Sequence, residues 1–243
     1  MSKGRKKIAV LTGAGVSAES GISTFRDNGG LWEQYDPQTV ASIEGWHADR
    51  GLLLDFYNRQ RLQLKDVRPN AAHEAIAALE KDHDVTVITQ NVDNLHERAG
   101  STRIIHLHGE LTKVRPETGV YDRTFSEEEV FDIGYTEIRL GDKAPNGSQL
   151  RPHIVWFGES VPMIEKAIDA VEAADILLIV GTSLSVYPAA GLYRYAGRQA
   201  PVYVIDPNDL SVRDSRLIHI KEPATRGMET FRKILGEMQA SIL

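Results

Sequence analysis

The sequence contains no cysteine among its 243 residues. That absence excludes disulfides, thiol nucleophiles and every thiolate metal site at once. No apolar run approaches the roughly 18 residues that a membrane span needs. The first seven residues, Met1-Ser2-Lys3-Gly4-Arg5-Lys6-Lys7, are basic but lack the apolar core of a signal peptide. Basic residues are not in excess: 28 Lys and Arg against 34 Asp and Glu leave a net charge of −6, so no nucleic-acid surface is expected. Internal repeats and low-complexity tracts are missing too. These exclusions leave a cytoplasmic globular protein as the expectation, with neither membrane nor nucleic acid as a partner. Nothing in the sequence specifies an oligomeric state.

Four short apolar runs are present, at Ile8 to Leu11, Val85 to Thr89, Ile176 to Val180 and Val202 to Ile205. None alternates with period two, which is the pattern of strands covered on both faces in a parallel sheet. Helical patterns separate them. Asn70 reads as an N-cap for a helix over 70–82 with Ala72, Ile76 and Leu79 on one face. Pro162 opens another over 162–174, and Met228, Phe231, Leu235 and Met238 form a stripe near the C-terminus. Strands alternating with helices imply an α/β fold, a Rossmann-like doubly wound parallel sheet. Residues 35–67 and 113–152 break the alternation and are expected to form a smaller inserted module. Residues 1–34, 68–112 and 153–243 then form the Rossmann-like domain.

The first strand runs into Gly13-Ala14-Gly15-Val16-Ser17-Ala18, a G-x-G-x-x-A turn. Such a turn lets backbone approach a pyrophosphate and points helix N–H groups at it; it is also, more plainly, a strand-to-helix turn. The dehydrogenase version of the motif expects an acidic strand end about 20 residues on. Here the next clear strand comes much later and ends in Gln90-Asn91. Hydride transfer is therefore the poorer fit, and consumption of NAD the better one.

Other strand ends carry chemistry. Gln90, Asn91 and Asp93 are hydrogen-bonding groups suited to a ribose or an amide; equally, Asp93 or Asn94 can cap the next helix. In Ile104-Ile105-His106-Leu107-His108-Gly109, extended chain would put both histidines on one face. Three readings stay open: structural histidines, a metal pair without a carboxylate at an obvious ligand spacing, or a general base, for which His108 beside Gly109 is best placed. Gly181-Thr182-Ser183 can hold phosphate or ribose. Asp206-Pro207-Asn208 can accept the adenosine ribose hydroxyls or simply start a turn.

Five collinear stretches resemble the sirtuins, NAD-dependent protein-lysine deacylases. They are GAGVSAESGISTFRDNGGLW at 13–32, TQNVDNLHERAG at 89–100, HLHGEL at 106–111, PHIVWFGE at 152–159 and GTSLSVYPAA at 181–190. The pattern looks most like bacterial members of the desuccinylase class. The resemblance implies His108 as the catalytic histidine, Gln90, Asn91 and Asp93 on the nicotinamide ribose and amide, and Phe25 and Arg26 beside the reacting sugar. It implies Gly181, Thr182 and Ser183 as the second cofactor turn, and Asp206 where the family usually has asparagine. Val155 to Gly158, including Phe157, match a strand that pairs with substrate backbone, with Val186 in the facing segment. The implied reaction moves the acyl group of an acyl-lysine protein or peptide to ADP-ribose and releases nicotinamide. The alternatives are an ADP-ribosyltransferase or NAD hydrolase, and a non-catalytic sensor of NAD or ADP-ribose.

Two departures from the family stand out. Most members carry a four-cysteine zinc site, and this sequence has no ligand for it, so no metal is expected. Tyr121, Phe125, Phe131, Tyr135 and Ile138 are the expected apolar substitute. The desuccinylase class reads an acyl carboxylate with Tyr-x-x-Arg. Here Tyr57 is followed by Gln60, and Arg61 lies about 100° further round a helix. Glutamine cannot make the bidentate charged fork, so succinyl preference should be lost. Ala41 matches a small residue that leaves the acyl pocket roomy.

Overall fold

The computed structural model describes residues 5–22, 34–117 and 127–240. Strand β1 (Lys7–Thr12) leads into a single turn of helix, α1 (Gly15–Ala18). Helices α2 (Pro37–Val40), α3 (Ile43–Ala48) and α4 (Arg50–Asp66) follow, the last capped by Asp49, whose carboxylate accepts from Leu52 N–H at 2.9 Å. Asn70 caps α5 (Ala71–Ala78) and accepts from Ala72 N–H at 2.9 Å. Then come β2 (Asp84–Thr89), α6 (Leu95–Ala99) and β3 (Ile104–His106). Strands β4 (Gly109–Pro116), β5 (Phe131–Asp132) and β6 (Leu150–Ile154) are followed by α7 (Ile164–Glu172), two residues after the expected Pro162. The chain closes with β7 (Ile176–Val180), β8 (Val202–Ile205), β9 (Leu217–Ile220) and α8 (Ala224–Ala240).

Six strands form one all-parallel sheet in the order β3-β2-β1-β7-β8-β9. All four apolar runs lie in it, and β7 and β8 are buried along their whole length. One face packs Ile8, Val10, Ile76, Met228 and Phe231 together; the other packs Leu11, Ile88, Val171, Leu177 and Leu192. Strand order reverses between β1 and β7, the place where open α/β sheets bind ligands. Strands β5-β4-β6 form a separate antiparallel sheet. It begins at Gly109 and ends at Ile154, so it takes chain on both sides of the 113–152 segment. Its core joins Leu53, Phe56 and Leu64 of α4 to Leu111, Val114, Ile138 and Trp156. Among the described residues no helix is long and apolar enough to cross a membrane.

Candidate active site

Two glycine turns meet at the switch point. Gly13 N–H donates to Val180 O at 3.1 Å, and Gly15 N–H to Gly181 O at 2.9 Å. A Cβ on Gly13 would sit 2.7 Å from Thr182 Cβ, and one on Gly15 would sit 2.7 Å from Gly181 Cα. Gly181 has φ +63°, and its Cβ would lie 2.3 Å from Val16 N. The glycines are therefore already required by turn-against-turn packing. The helix that the turn opens is only four residues long, so its dipole contributes little. What the turns offer a ligand is a shallow backbone cradle, with Ala14 and Ala18 beside it.

That cradle is one end of a cleft of about 850 Å³. Gly13, Ala14, Gly15, Ala18, Gly181, Thr182 and Ser183 line it from the two turns. Gln90, Asn91, His108, Asp206 and Asn208 line it too. Asp206 Oδ1 also accepts from Asn208 N–H at 2.9 Å, so its turn-initiating reading holds while the residue still faces the cleft. Phe25 and Arg26 lie outside the described residues.

Gln90 is the joint of the site. Its N–H donates to Thr12 O at 3.0 Å, and its Nε2 to Thr182 Oγ1 at 3.2 Å. Its carbonyl accepts from His108 Nδ1 at 2.9 Å. That bond assigns the proton to Nδ1 and leaves Nε2 with a lone pair, as a base requires. Burial pushes the His108 pKa down, against the opposing effect of the Gln90 carbonyl, so the ring is neutral at neutral pH.

Asp93 does not line the cleft. It is buried behind it, where Oδ1 accepts from Leu95 N–H at 3.0 Å and Oδ2 from Ser17 Oγ at 2.9 Å. Asn91 Nδ2 donates to the same Ser17 oxygen at 3.0 Å. Asp93 therefore holds the loop that presents Asn91, and it takes the helix-starting part anticipated for Asp93 or Asn94. His106 and His108 do not work as a pair either, because β3 ends at His106 and the chain bends before His108. His106 Nε2 meets Glu97 at 2.6 Å and Glu110 at 3.9 Å, so carboxylates are near it after all. Lys113 holds Glu110 at 2.6 Å. Burial lowers the His106 pKa, but Glu97, Glu110 and a hydrogen bond with the Asn91 backbone together more than reverse that and leave it raised.

Another part of the cleft is built from α4 and from loops beside the smaller sheet. Ala41, Phe56, Tyr57, Gln60, Val92 and Trp156 line it. Trp156 Nε1 donates to Tyr57 Oη at 2.9 Å, fixing the phenol against the indole. Arg61 does not reach it: its Nε donates to Leu111 O at 2.5 Å and its NH1 to Asn58 Oδ1 at 2.6 Å. Val155, Phe157, Gly158 and Val186 line the rim. Val155 N–H donates to His108 O, and Phe157 N–H to Ala41 O. Phe157 O accepts from Ile43 N–H. The segment expected to pair with a substrate backbone has thus already committed most of its donors.

The Sir2 family model matches residues 13–188, which span both glycine turns, the His108 loop and the rim. The chain belongs to the Sir2 family. It is 55% identical over 231 residues to an "NAD-dependent protein deacylase" from Bacteroides thetaiotaomicron, covering 95% of this chain and 98% of that one. A protein of the same name from Helicobacter pylori (strain J99) is 49% identical over 234 residues, covering 96% and 97%. A Sir2 homologue solved with NAD superposes with a TM-score of 0.80 at 35% identity, covering 96% of this chain and 91% of that one. A Sir2 protein solved with a p53 peptide and NAD+ superposes with a TM-score of 0.75 at 28% identity, covering 94% and 93%.

In this Sir2 protein the smaller sheet is held by side chains. Phe131, Tyr135 and Ile138 pack into its core as expected; Tyr121 and Phe125 lie outside the described residues. Asn58 ties α4 to it from both sides, donating to Ile138 O at 2.8 Å and accepting from Ile138 N–H at 3.1 Å. Several site residues went unread in the sequence. Ser17 sits inside the glycine motif, but its partners at 91 and 93 are too distant in sequence to be seen from there. His73 and His96, whose rings lie 4.9 Å apart beneath Ser17 and Thr12, stood only within a helical pattern and a motif respectively. Glu159, which lines the cleft and binds Arg151 and Arg115, was legible only as part of a motif.

Proposed function

We propose that the cleft removes acyl groups from lysine side chains with His108 as general base. By family and relatives the chain is an NAD-dependent protein deacylase, an enzyme that consumes NAD. The observation that carries the assignment of the base is the His108 Nδ1 bond to the Gln90 carbonyl inside the shared cleft. A pure NAD sensor has no need of a neutral, oriented imidazole there.

The pocket fits NAD by its backbone cradle and by the hydrogen-bonding groups that follow it. Gly13 to Gly15 and Gly181 to Ser183 would hold the pyrophosphate and neighbouring ribose, Asp206 and Asn208 the adenosine ribose, and Gln90 and Asn91 the nicotinamide end. When bound, NAD supplies an activated sugar carbon for the acyl oxygen to attack as nicotinamide leaves. His108 Nε2 would be placed to take a proton from a ribose hydroxyl, the oxygen that would receive the acyl group. Gln90 holds the imidazole in the tautomer this needs. Asp93 supports Asn91 through Ser17. Val155, Trp156 and Phe157 keep water from the activated carbon, and Gly158 and Val186 guide an extended peptide to the rim.

The division of labour follows the two sheets. The large sheet holds the cofactor; the smaller module, folded without zinc, closes over the acyl chain. The likeness to the desuccinylase class extends to Tyr57 and stops at Gln60, so we assign a preference for uncharged acyl groups in a pocket kept roomy by Ala41. The test is to incubate the protein with NAD and an acyl-lysine peptide, with and without His108→Ala, and to assign the products by mass. The native protein should give O-acyl-ADP-ribose and the variant should not. Free ADP-ribose alone would favour NAD hydrolysis, and no product would favour a sensor.

A further inference from the structure

At the acyl end of the cleft two side chains have hydrogen-bonding capacity that the protein does not use. Gln60 Nε2 is buried and has no hydrogen-bond partner among the described residues. Tyr57 Oη accepts from Trp156 Nε1, which leaves the hydroxyl proton to be donated elsewhere. The two residues are three apart on α4 and both line the cleft, which puts their Cβ atoms about 5–6 Å apart on one face. Burial raises the Tyr57 pKa well above its ordinary value, with the Trp156 bond and Arg151 opposing it more weakly, so the group stays a protonated donor.

Among the described residues no Lys or Arg lines this cleft. Arg61 does not line the cleft, and gives its Nε to Leu111 O and its NH1 to Asn58 Oδ1. Arg151 stacks on the Trp156 ring at 3.6 Å, but its guanidinium holds Glu159 at 2.7 and 2.9 Å and does not line the cleft. Arg115 shares the same carboxylate at 3.2 Å. A carboxylate at the acyl end would therefore be buried without a charged partner, which is costly. A purely apolar end would leave the Gln60 N–H unpaired, which also costs free energy. A neutral acceptor avoids both penalties.

We propose that Gln60 and Tyr57 form a neutral donor pair that selects acyl-lysines whose chain carries an uncharged hydrogen-bond acceptor, such as a ketone or amide carbonyl, about four carbons from the lysine nitrogen. This rests on the deacylase reading above and names its substrate class. A site built to pair a polar group discriminates against the isostere that lacks it more sharply than an apolar pocket discriminates by size.

Four versions of one peptide test it, with 4-oxopentanoyl, 4-methylpentanoyl, succinyl and acetyl on the lysine. The first three have nearly the same shape and differ in what they present at the end: a neutral acceptor, an apolar branch or a charge. In the native protein kcat/KM for 4-oxopentanoyl should exceed that for 4-methylpentanoyl about tenfold, and that for succinyl by at least as much. Gln60→Leu should bring the first ratio near one, and Gln60→Arg should shift preference to succinyl. Because each ratio is taken within one protein, a loss of folded fraction cancels. A 4-methylpentanoyl rate equal to or above the 4-oxopentanoyl rate overturns the proposal, as does dominant succinyl activity or an unchanged ratio in Gln60→Leu. Absence of O-acyl-ADP-ribose from all four, acetyl included, refutes the deacylase reading and this proposal together.

Discussion

Acid should loosen this protein from beneath its cofactor cradle. His73 is fully buried; its Nδ1 accepts from Asn70 N–H at 3.3 Å and its Nε2 meets Ser17 Oγ at 3.3 Å. Burial lowers its pKa to about 4. Protonating Nδ1 would set two donors against each other and open the cap of α5. The unfolded chain binds this proton near pH 6.5 and the folded chain only near pH 4, so the contribution is present above the unfolded value and is lost as pH falls. From roughly pH 8 to pH 5 the difference amounts to about 2 kcal/mol for this one ring. His96, set edge-on to it and pushed well below its ordinary value by burial and by the neighbouring imidazoles, works in the same direction. Asp93, raised by burial, works in the opposite one, so the total slope mixes several groups. A variant isolates the term. Urea unfolding of the native protein and of His73→Gln across this pH range should show the variant losing about 2 kcal/mol less on acidification. Parallel pH dependences in the two proteins would refute the reasoning, whatever their absolute stabilities.

Three further outcomes follow from the site. Gly181→Ala combines a left-handed backbone with a Cβ 2.3 Å from Val16 N, so it should cost roughly 3 kcal/mol or more and lower Tm by about 10 °C, read by thermal melting. The acid limb of kcat/KM should fall below pH 6.5, because burial lowers the His108 pKa and the ring must be neutral to act; a limb above that value would remove His108 as the base. Metal analysis of the purified protein should find no stoichiometric zinc, and a chelator should leave Tm unchanged; zinc that comes away only on unfolding would sink the claim of a side-chain-built module.

Much of the large sheet was legible in the residues. Ile176 to Val180 and Val202 to Ile205 are apolar at every position, and only strands covered on both faces read that way. Asn70 announced its helix because capping is local chemistry. The stripe of Met228, Phe231 and Leu235 announced its buried face because the helical period lies within the segment. The motifs carried the site further: the glycine turns, Gln90, Asn91, His108 and the rim all line one cleft.

Other features depended on contacts between distant residues. Gly13 and Gly15 seemed to await a pyrophosphate, yet they are already needed where they touch Gly181. Asp93 read as a ligand contact or a helix start, and in the fold its buried carboxylate accepts from Leu95 N–H and from Ser17, far away in the chain. His106 seemed to lack carboxylates until β3, α6 and β4 brought Glu97 and Glu110 to it. Gln60 read only as the loss of an arginine; its unsatisfied N–H exists because α4 packs against Trp156 and the smaller sheet. The sequence by itself therefore determined the four buried strands, the sheet type and the candidate reacting groups, since periodicity, capping and motif spacing act over a few residues. Tertiary structure alone decided which polar groups are satisfied and which remain open to a ligand, because hydrogen-bond satisfaction in a buried site is a property of the assembled neighbours.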